Sequence, residues 1–213
     1  MMKDVLSQRI PLQKILISTC VVCIGLLGLL FGPPTIGIFS LTVTGLLAFH
    51  YSLGKAKTHA LFSKPVRPIK YVGIFFLLNW LLSLLSGALL TYGFGWHLQS
   101  NPVNDRPTLL LLVTVPIMIM GEELFSIYFL SLFSSRITLL LANLFSAIVF
   151  GLVHFSTYYN GNPLKTIVHV LLIQGTARLL FNTAAIKSNS IWTSWIIHVL
   201  FDLSSIYFVF LHG

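Results

Sequence analysis

Long apolar runs recur along the chain, and short charged or proline-bearing stretches separate them. About 20 apolar residues are needed for a helix to cross the hydrocarbon core of a bilayer, and each run approaches that length. We therefore predict an all-α fold, a polytopic membrane helix bundle of about seven transmembrane helices. The predicted spans are Ile15–Gly32, Thr35–Leu53, Tyr71–Tyr92, Leu109–Phe133, Ile137–Phe155, Leu164–Ile186 and Ile191–Leu211.

Composition excludes the water-soluble classes of protein. Of 213 residues, 56% are hydrophobic and 8% are charged, and the mean hydropathy is +0.90, so polar side chains are too few to cover a soluble surface. The net charge is +8, but the basic residues lie in short loops between apolar runs, which argues against nucleic acid as a partner. No internal repeat or low-complexity tract divides the chain, and we expect one integral membrane domain over residues 1–213.

The distribution of lysine and arginine predicts the topology. With the N-terminus inside, ten basic residues fall in cytoplasmic segments and two, Arg106 and Lys165, fall in outer loops. This asymmetry follows the positive-inside rule, so we predict a cytoplasmic N-terminus. The first run has basic residues before it, as in a signal peptide, but no small-residue cleavage site precedes Pro33, and we expect an uncleaved first span. The ten cytoplasmic bases are Lys3, Arg9, Lys14, Lys55, Lys57, Lys64, Arg67, Lys70, Arg136 and Lys187.

Both cysteines, Cys20 and Cys23, lie inside the first apolar run. A zinc site would need further ligands, and no Cys or His pair follows at zinc-finger spacing. We expect these residues to be buried structural thiols.

Ionisable side chains inside the predicted spans indicate where chemistry takes place. A charged group at the centre of a membrane helix costs about 2.5–3.5 kcal/mol on insertion scales. Such groups must therefore face one another, water or backbone rather than lipid, and they are functional candidates. The intramembrane ionisable residues are Glu122, Glu123, His154, His169, Arg178, His198 and Asp202.

The spacing of these residues predicts polar faces on four helices. His198 and Asp202 are four residues apart and share one face of the last span. Gln174, Arg178 and Asn182 form a polar stripe at the same spacing on the span before it. Together with the Glu122-Glu123 pair and His154, these faces predict a common polar interior.

Three motifs in this order carry a family resemblance. They are Glu122-Glu123, Phe150-Gly-Leu-Val-His154 and His198-Val-Leu-Phe-Asp202. In order and spacing they resemble the CPBP family, the CAAX proteases and bacteriocin-processing (Abi) enzymes, over a family-like catalytic core of about 107–205. One position departs from the family pattern, because Ile127 stands where the family has arginine, four residues after the second glutamate.

The resemblance implies an intramembrane, metal-independent, glutamate-dependent endopeptidase without a cofactor, in the cell membrane of a bacterium. Its partners would be the lipid bilayer and a membrane-associated peptide or protein substrate. It implies Glu122 as general base, His154 as a holder of the attacking water and His198 as the stabiliser of the oxyanion. Glu123 would tune or anchor Glu122. Asp202 would share the oxyanion pocket with His198, and since an ionised carboxylate stabilises an oxyanion poorly, it would orient His198 or be protonated. Arg178 is our candidate for electrostatic support in place of an arginine at position 127.

Other interpretations fit the same residues. One alternative is that Glu122 and Glu123 form a packing pair neutralised by Arg178. Another is a zinc site of two Glu, two His and an Asp, although no His-Glu-x-x-His helix occurs. A non-catalytic bacteriocin self-immunity or scaffold protein of the same family is the main alternative function, and a transporter or proton relay is another. His169 matches no motif, and we expect it to make structural hydrogen bonds.

Overall fold

The computed structural model of the chain describes residues 2–101 and 108–212. Arg106, predicted in an outer loop, and Pro107, the first residue of the predicted core, lie outside the described residues. The described residues form helices and no strand, and two π-helical turns extend α5 and join α8 to α9. The helices are α1 (Met2–Leu6), α2 (Leu12–Phe31), α3 (Pro34–Leu53), α4 (Lys55–Leu61), α5 (Pro68–Ala88), α6 (Leu111–Ser134), α7 (Leu139–Val153), α8 (Pro163–Val170), α9 (Thr176–Ser188) and α10 (Ile191–His212), and the π turns are Leu89–Gly93 and Leu171–Gly175.

The predicted polytopic helical bundle is confirmed. Six helical segments of the described chain are long and apolar enough to cross a membrane, and α8, its π turn and α9 count as one of them. The fifth predicted span is the apolar helix α7, which has only 15 residues. At about 22 Å it is shorter than a bilayer core of about 30 Å, so α7 is too short to cross the core by itself.

Helix α6 is the centre of the packing, because it contacts α3, α7 and α10. Gly121 permits the close approach of α6 to α3, since a Cβ atom there would lie 2.9 Å from the backbone nitrogen of Thr42. Proline at position 116 lies inside α6, and its carbonyl accepts a hydrogen bond of 2.9 Å from the indole of Trp195 on α10. These contacts position the middle of α6 against its neighbours.

The first span lies at the periphery and exposes most of its surface. Only Ser18, Val22 and Gly25 of α2 are buried, and the expectation that Cys20 and Cys23 are buried is wrong, since both are exposed, free thiols. In a bilayer an outward-facing apolar side chain meets lipid tails and need not be buried in protein. A polarisable, weakly polar thiol is compatible with that surface.

A cap built from α1, α4 and the loop after α4 covers one end of the bundle. In this loop the amide of Val66 donates to the carbonyl of Ser188 at 2.8 Å, and the hydroxyl of Ser63 donates to the carbonyl of Asn189 at 2.6 Å. Asn189 has a φ of 59°, a left-handed conformation that asparagine tolerates at a helix end. The cap therefore holds the tight turn that starts α10 and sets the height of its polar face.

Candidate active site

Four of the predicted site residues line one cavity of about 220 Å³ in the middle of the bundle: Glu122 from α6, His154 after α7, and His198 and Asp202 from α10. Glu123 and Arg178 are fully buried directly behind this cavity. The described structure therefore brings all six predicted residues together from four helical segments.

The short helix α7 puts His154 at the depth of the glutamates. Counted from the turn between α6 and α7, Glu122 and His154 both lie about 18–22 Å along their helices, at about 1.5 Å per residue. The predicted span Ile137–Phe155 would instead place His154 near the far end of a full crossing. The difference arises because α7 ends at Val153 and the chain turns there.

Glu123 is the hub of a buried polar network. Its Oε1 accepts a hydrogen bond of 2.7 Å from Nη2 of Arg178 and one of 2.9 Å from Nδ1 of His198. Since a carboxylate oxygen only accepts, Nδ1 of His198 carries the proton in this bond. The Nε2 atom of His198 is thereby turned towards the cavity.

Two phenylalanine rings enclose the guanidinium of Arg178. Its Cζ lies 4.9 Å from the ring centroid of Phe150 and 5.0 Å from that of Phe181, within the range of cation–π attraction. The same rings contact the histidines, since Phe150 lies 4.7 Å from the His154 ring and Phe181 lies 4.9 Å from the His198 ring. The rings therefore stabilise the buried cation and fix both imidazoles.

The positive charge beside Glu123 comes from a different helix than in the family pattern. Ile127 is fully buried in an apolar cluster of α6. The guanidinium of Arg178 reaches Glu123 from α9. A buried cation thus lies beside the second glutamate although position 127 is apolar.

Glu122 and Asp202 have more open surroundings than Glu123. Their side chains are 15% and 28% exposed, whereas that of Glu123 is fully buried. Nε2 of His198 lies 3.9 Å from Oε2 of Glu122 and 3.9 Å from Oδ2 of Asp202. Both distances exceed a direct hydrogen bond, so these two carboxylates face the cavity.

His154 has its ring orientation fixed by the end of α7. Its Nδ1 lies 2.8 Å from the carbonyl oxygen of Phe150, which can only accept, so Nδ1 carries the proton. In the neutral imidazole, Nε2 is then a hydrogen-bond acceptor. His154 can accept a proton of a water molecule or of a substrate group in the cavity.

The polar stripe of the sixth span holds α9 against α7. Asn182 donates to Oδ1 of Asn143 at 2.9 Å and to the hydroxyl of Ser146 at 3.3 Å. The end of α8 and the π turn after it pass close to α7, because a Cβ atom on Gly151 would lie 3.0 Å from the carbonyl oxygen of Val170 and 3.4 Å from the backbone nitrogen of Gly175. These contacts fix α9 and hence the position of Arg178, one helical turn from Asn182.

A second cavity, also of about 220 Å³, meets the first at Glu122 and His154. Its walls are mostly apolar and come from α2, α3, α6 and α7, with Leu26, Leu30 and Val153 among them. Glu122 and His154 therefore lie at the junction of a polar and an apolar cavity.

Sequence reasoning missed two residues that line the polar cavity, Phe181 and Tyr158, and it gave a third, His169, only a structural role. None of the three belongs to a recognisable motif. His169 is 3% exposed, and its Nδ1 has no hydrogen-bond partner among the described residues, so the structural hydrogen bond expected for it is not seen at that atom. The sequence signal available for the first two is their spacing, because Phe181 is three residues after Arg178 and Tyr158 is four residues after His154.

The geometry bears on the metal interpretation as well. Among the described residues, no group of three or more His, Cys, Asp or Glu side chains is arranged to hold a metal ion. Nδ1 of His198 is engaged by Glu123, and Oε1 of Glu123 is engaged twice. These potential metal-ligand atoms are therefore engaged in hydrogen bonds with one another.

Comparison with known proteins confirms the family resemblance. Residues 104–204 match the family model described as Type II CAAX prenyl endopeptidase Rce1-like. The matched segment includes α6, α7, the α8–α9 span and most of α10, which together supply all six predicted site residues. The chain has no significant match among the curated proteins or the solved structures.

Proposed function

We propose, on the premise that residues 104–204 belong to the Rce1-like family of CAAX endopeptidases, that this multi-pass membrane protein hydrolyses a peptide bond with Glu122 as the base. The observation that carries the proposal is that the two glutamates have different surroundings. Glu123 is held by Arg178 and His198, whereas Glu122 faces the cavity beside His154. Only Glu122 is therefore free to exchange a proton with water.

The reaction begins with a water molecule between Glu122 and Nε2 of His154. Glu122 takes a proton from this water while the oxygen attacks the scissile carbonyl carbon, and the carbonyl oxygen becomes an oxyanion. The C–N bond then breaks as Glu122 returns the proton to the leaving nitrogen. The products are a carboxylic acid and an amine, and the chain supplies both proton steps from one carboxyl group.

Oxyanion stabilisation falls to His198. Its Nδ1 is bound to Glu123, so the ring is oriented before substrate arrives, and its Nε2 faces the cavity. Because Nδ1 already carries a proton, Nε2 donates to the oxyanion as part of the doubly protonated imidazolium, a state favoured by the carboxylates of Glu122, Glu123 and Asp202 around the ring. A preorganised donor of this kind is typically worth about 100- to 1,000-fold in turnover. Phe150 and Phe181 exclude water from behind the ring, which strengthens the interaction.

Cleavage by purified protein tests the proposal. The protein, in detergent or nanodiscs, is incubated with a library of membrane-anchored peptides, and products are identified by mass spectrometry with and without chelator. We expect cleavage that chelator does not change and that Glu122→Gln, a neutral substitution of the same shape, reduces by about 1,000-fold or more, as for loss of an essential acid–base group. His154→Ala is expected to reduce cleavage too.

The control is a measurement of folding on the same samples. Thermal unfolding of Glu122→Gln should match the wild type, because the nearest ionic partner of the Glu122 carboxylate among the described residues, Nε2 of His198, is 3.9 Å away. A well-folded wild type that cleaves no peptide would overturn the proposal and favour the non-catalytic immunity or scaffold function. Cleavage that chelator abolishes would favour a metallopeptidase.

A further inference from the structure

The polar cavity has an excess of negative groups on its wall. Within the described residues its lining includes the carboxylates of Glu122 and Asp202 and no lysine or arginine. The one buried arginine nearby, Arg178, is bound to Glu123. His198 is shared between the two lining carboxylates at 3.9 Å from each. The cavity therefore attracts a positively charged group.

Asp202 is a lining carboxylate without a close cation. Among the described residues its ionic partner is His198, whose Nε2 lies 3.9 Å from Oδ2, beyond a direct hydrogen bond. An ionised carboxylate in a membrane-embedded cavity is costly without a charged or hydrogen-bonding partner. Asp202 is also 28% exposed towards the cavity, so a ligand can reach it.

His169 gives independent support for a ligand on the same wall. Its side chain is 97% buried, since its relative exposure is 3%, and it lines the cavity that Asp202 lines. Its Nδ1 has no partner among the described residues, although a buried imidazole normally makes a hydrogen bond. The ring packs edge-on against Tyr158 at 5.1 Å between centroids, which keeps it in place. Satisfying this buried nitrogen requires a donor group that packs directly against the ring.

The geometry points to a cation-binding subsite, formed by Asp202 and His169, that receives a lysine or arginine side chain of the peptide substrate near the scissile bond. This inference rests on the proposed function for the identity of the occupant as part of a substrate. An ammonium or guanidinium group donates hydrogen bonds to the carboxylate and to a neutral imidazole. The aromatic faces of Tyr158 and Phe201, both on the cavity wall, are suited to pack on its alkyl stem.

Occupation of this subsite would also assist the reaction. Asp202 lies close to Nε2 of His198, and an uncompensated carboxylate there opposes the developing oxyanion through charge repulsion. A substrate cation on Asp202 cancels that repulsion. A basic substrate should therefore gain in kcat as well as in binding.

Binding by an inactive protein tests the subsite separately from catalysis. Full-length Glu122→Gln protein in nanodiscs is titrated with membrane-anchored peptide libraries that are identical except that every lysine is replaced by acetyl-lysine, which has a similar shape and no charge. We expect binding to the lysine form to be about tenfold tighter, the value of one charge-assisted hydrogen bond in a partly desolvated site. The bound peptides identify the position of the preferred lysine.

Two further substitutions in the Glu122→Gln protein test the residues. Asp202→Asn should reduce the lysine preference to about twofold or less, and His169→Leu should weaken it, because each removes an acceptor. Asp4→Asn, in α1 and outside the cavity, is the matched control and should leave the preference unchanged. If Asp202→Asn does not fold, the comparison of the two peptide forms on the Glu122→Gln protein still tests whether the cavity prefers a charged side chain.

Equal binding of the lysine and acetyl-lysine forms would overturn the subsite, and so would a lysine preference that survives Asp202→Asn. Cleavage by wild type separates this result from the proposed function. Cleavage of both forms with equal binding would leave the peptidase standing without the subsite. An Asp202-dependent lysine preference without any cleavage would leave the subsite standing without the peptidase.

Discussion

Two adjacent residues on α6, Glu122 and Glu123, have different environments because successive helical positions are about 100° apart. Glu123 points into the bundle, where it forms one hydrogen bond with Arg178 and one with His198. Glu122 points into the cavity, where the Nε2 atom of His198 lies 3.9 Å from its carboxylate, beyond a direct hydrogen bond. Glu123 therefore stabilises the fold and the charge of Arg178, whereas Glu122 is available for proton transfer.

Removing the charge of Glu123 should cost stability. We expect Glu123→Gln to lower the free energy of unfolding by about 3–5 kcal/mol, because Arg178 is left as an unpaired buried cation. The double variant Glu123→Gln/Arg178→Met should recover much of this loss. The measurement is denaturant unfolding in detergent, analysed as a double-mutant cycle. Additive losses would contradict a direct interaction between the pair.

Moving the arginine tests whether the charge itself is what the site requires. Position 127 is four residues after Glu123 on the same helical face, so an arginine there can reach the carboxylate. We expect Ile127→Arg to destabilise the wild type, which already contains one buried guanidinium, but to destabilise the Arg178→Met protein less. Equal losses in both backgrounds, measured by thermal unfolding, would show that position 127 cannot take over the role.

Residue types and spacing predicted the residues of the candidate site, and the apolar residue at position 127 pointed to Arg178 as the supporting cation, but they did not predict which glutamate it binds. Glu122, His154 and Asp202 each belong to a motif that can be read along the chain. The contact between Arg178 and Glu123 joins positions 55 apart, and no local pattern encodes such a distance. Tyr158 and His169 could not be assigned for the same reason, because their role depends on the α7–α8 connection that folds over the cavity.

Among the helices, α6 depends on one close approach beside the site. A Cβ atom at Gly121 would lie 2.9 Å from a backbone nitrogen and 3.0 Å from Leu41 Cβ of α3, and backbone cannot rotate away. We expect Gly121→Ala to cost about 1–3 kcal/mol, as overpacking does, and to reduce peptide cleavage because the adjacent Glu122 is displaced.

Gly73 on α5 is the matched control for this substitution. It lies within a helix, is exposed, and has no atom within 4 Å of an added Cβ, so Gly73→Ala should leave both stability and cleavage unchanged or slightly raise stability. Thermal unfolding and cleavage are measured on both variants. A Gly121→Ala protein as stable and active as Gly73→Ala would refute the importance of the α3–α6 contact.

Among the helices, α7 is the one whose length hydropathy did not predict. The apolar character continues through Phe155, so a window of spanning length assigns a full crossing. The helix ends two residues earlier at Val153, and His154 closes it through its bond to the Phe150 carbonyl. Hydropathy measures whether residues tolerate lipid, and it does not measure where a chain turns inside protein.

At the scale of the whole molecule, the basic residues predict the orientation. In a protein with Cys20 and Cys23 replaced by alanine, we expect Lys165→Cys to react with a membrane-impermeant maleimide in intact cells. Lys55→Cys should react only after permeabilisation, because the cap formed by α1 and α4 would lie in the cytoplasm. Both positions are at least partly exposed. The reverse labelling pattern would invert the proposed topology.

Because α7 is too short to cross the bilayer core, we expect the protein to cut its substrate at a fixed depth below one membrane surface. Glu122 and His154 lie about 18–22 Å from the α6–α7 turn, and the rigid packing of α6 on α3 keeps that depth constant. A substrate helix anchored at the same membrane surface by its own charged residues presents only one short stretch at this level. The cut would then fall at a set number of residues from the anchor, so that lengthening the substrate between anchor and cut site would move the cleavage point along its sequence.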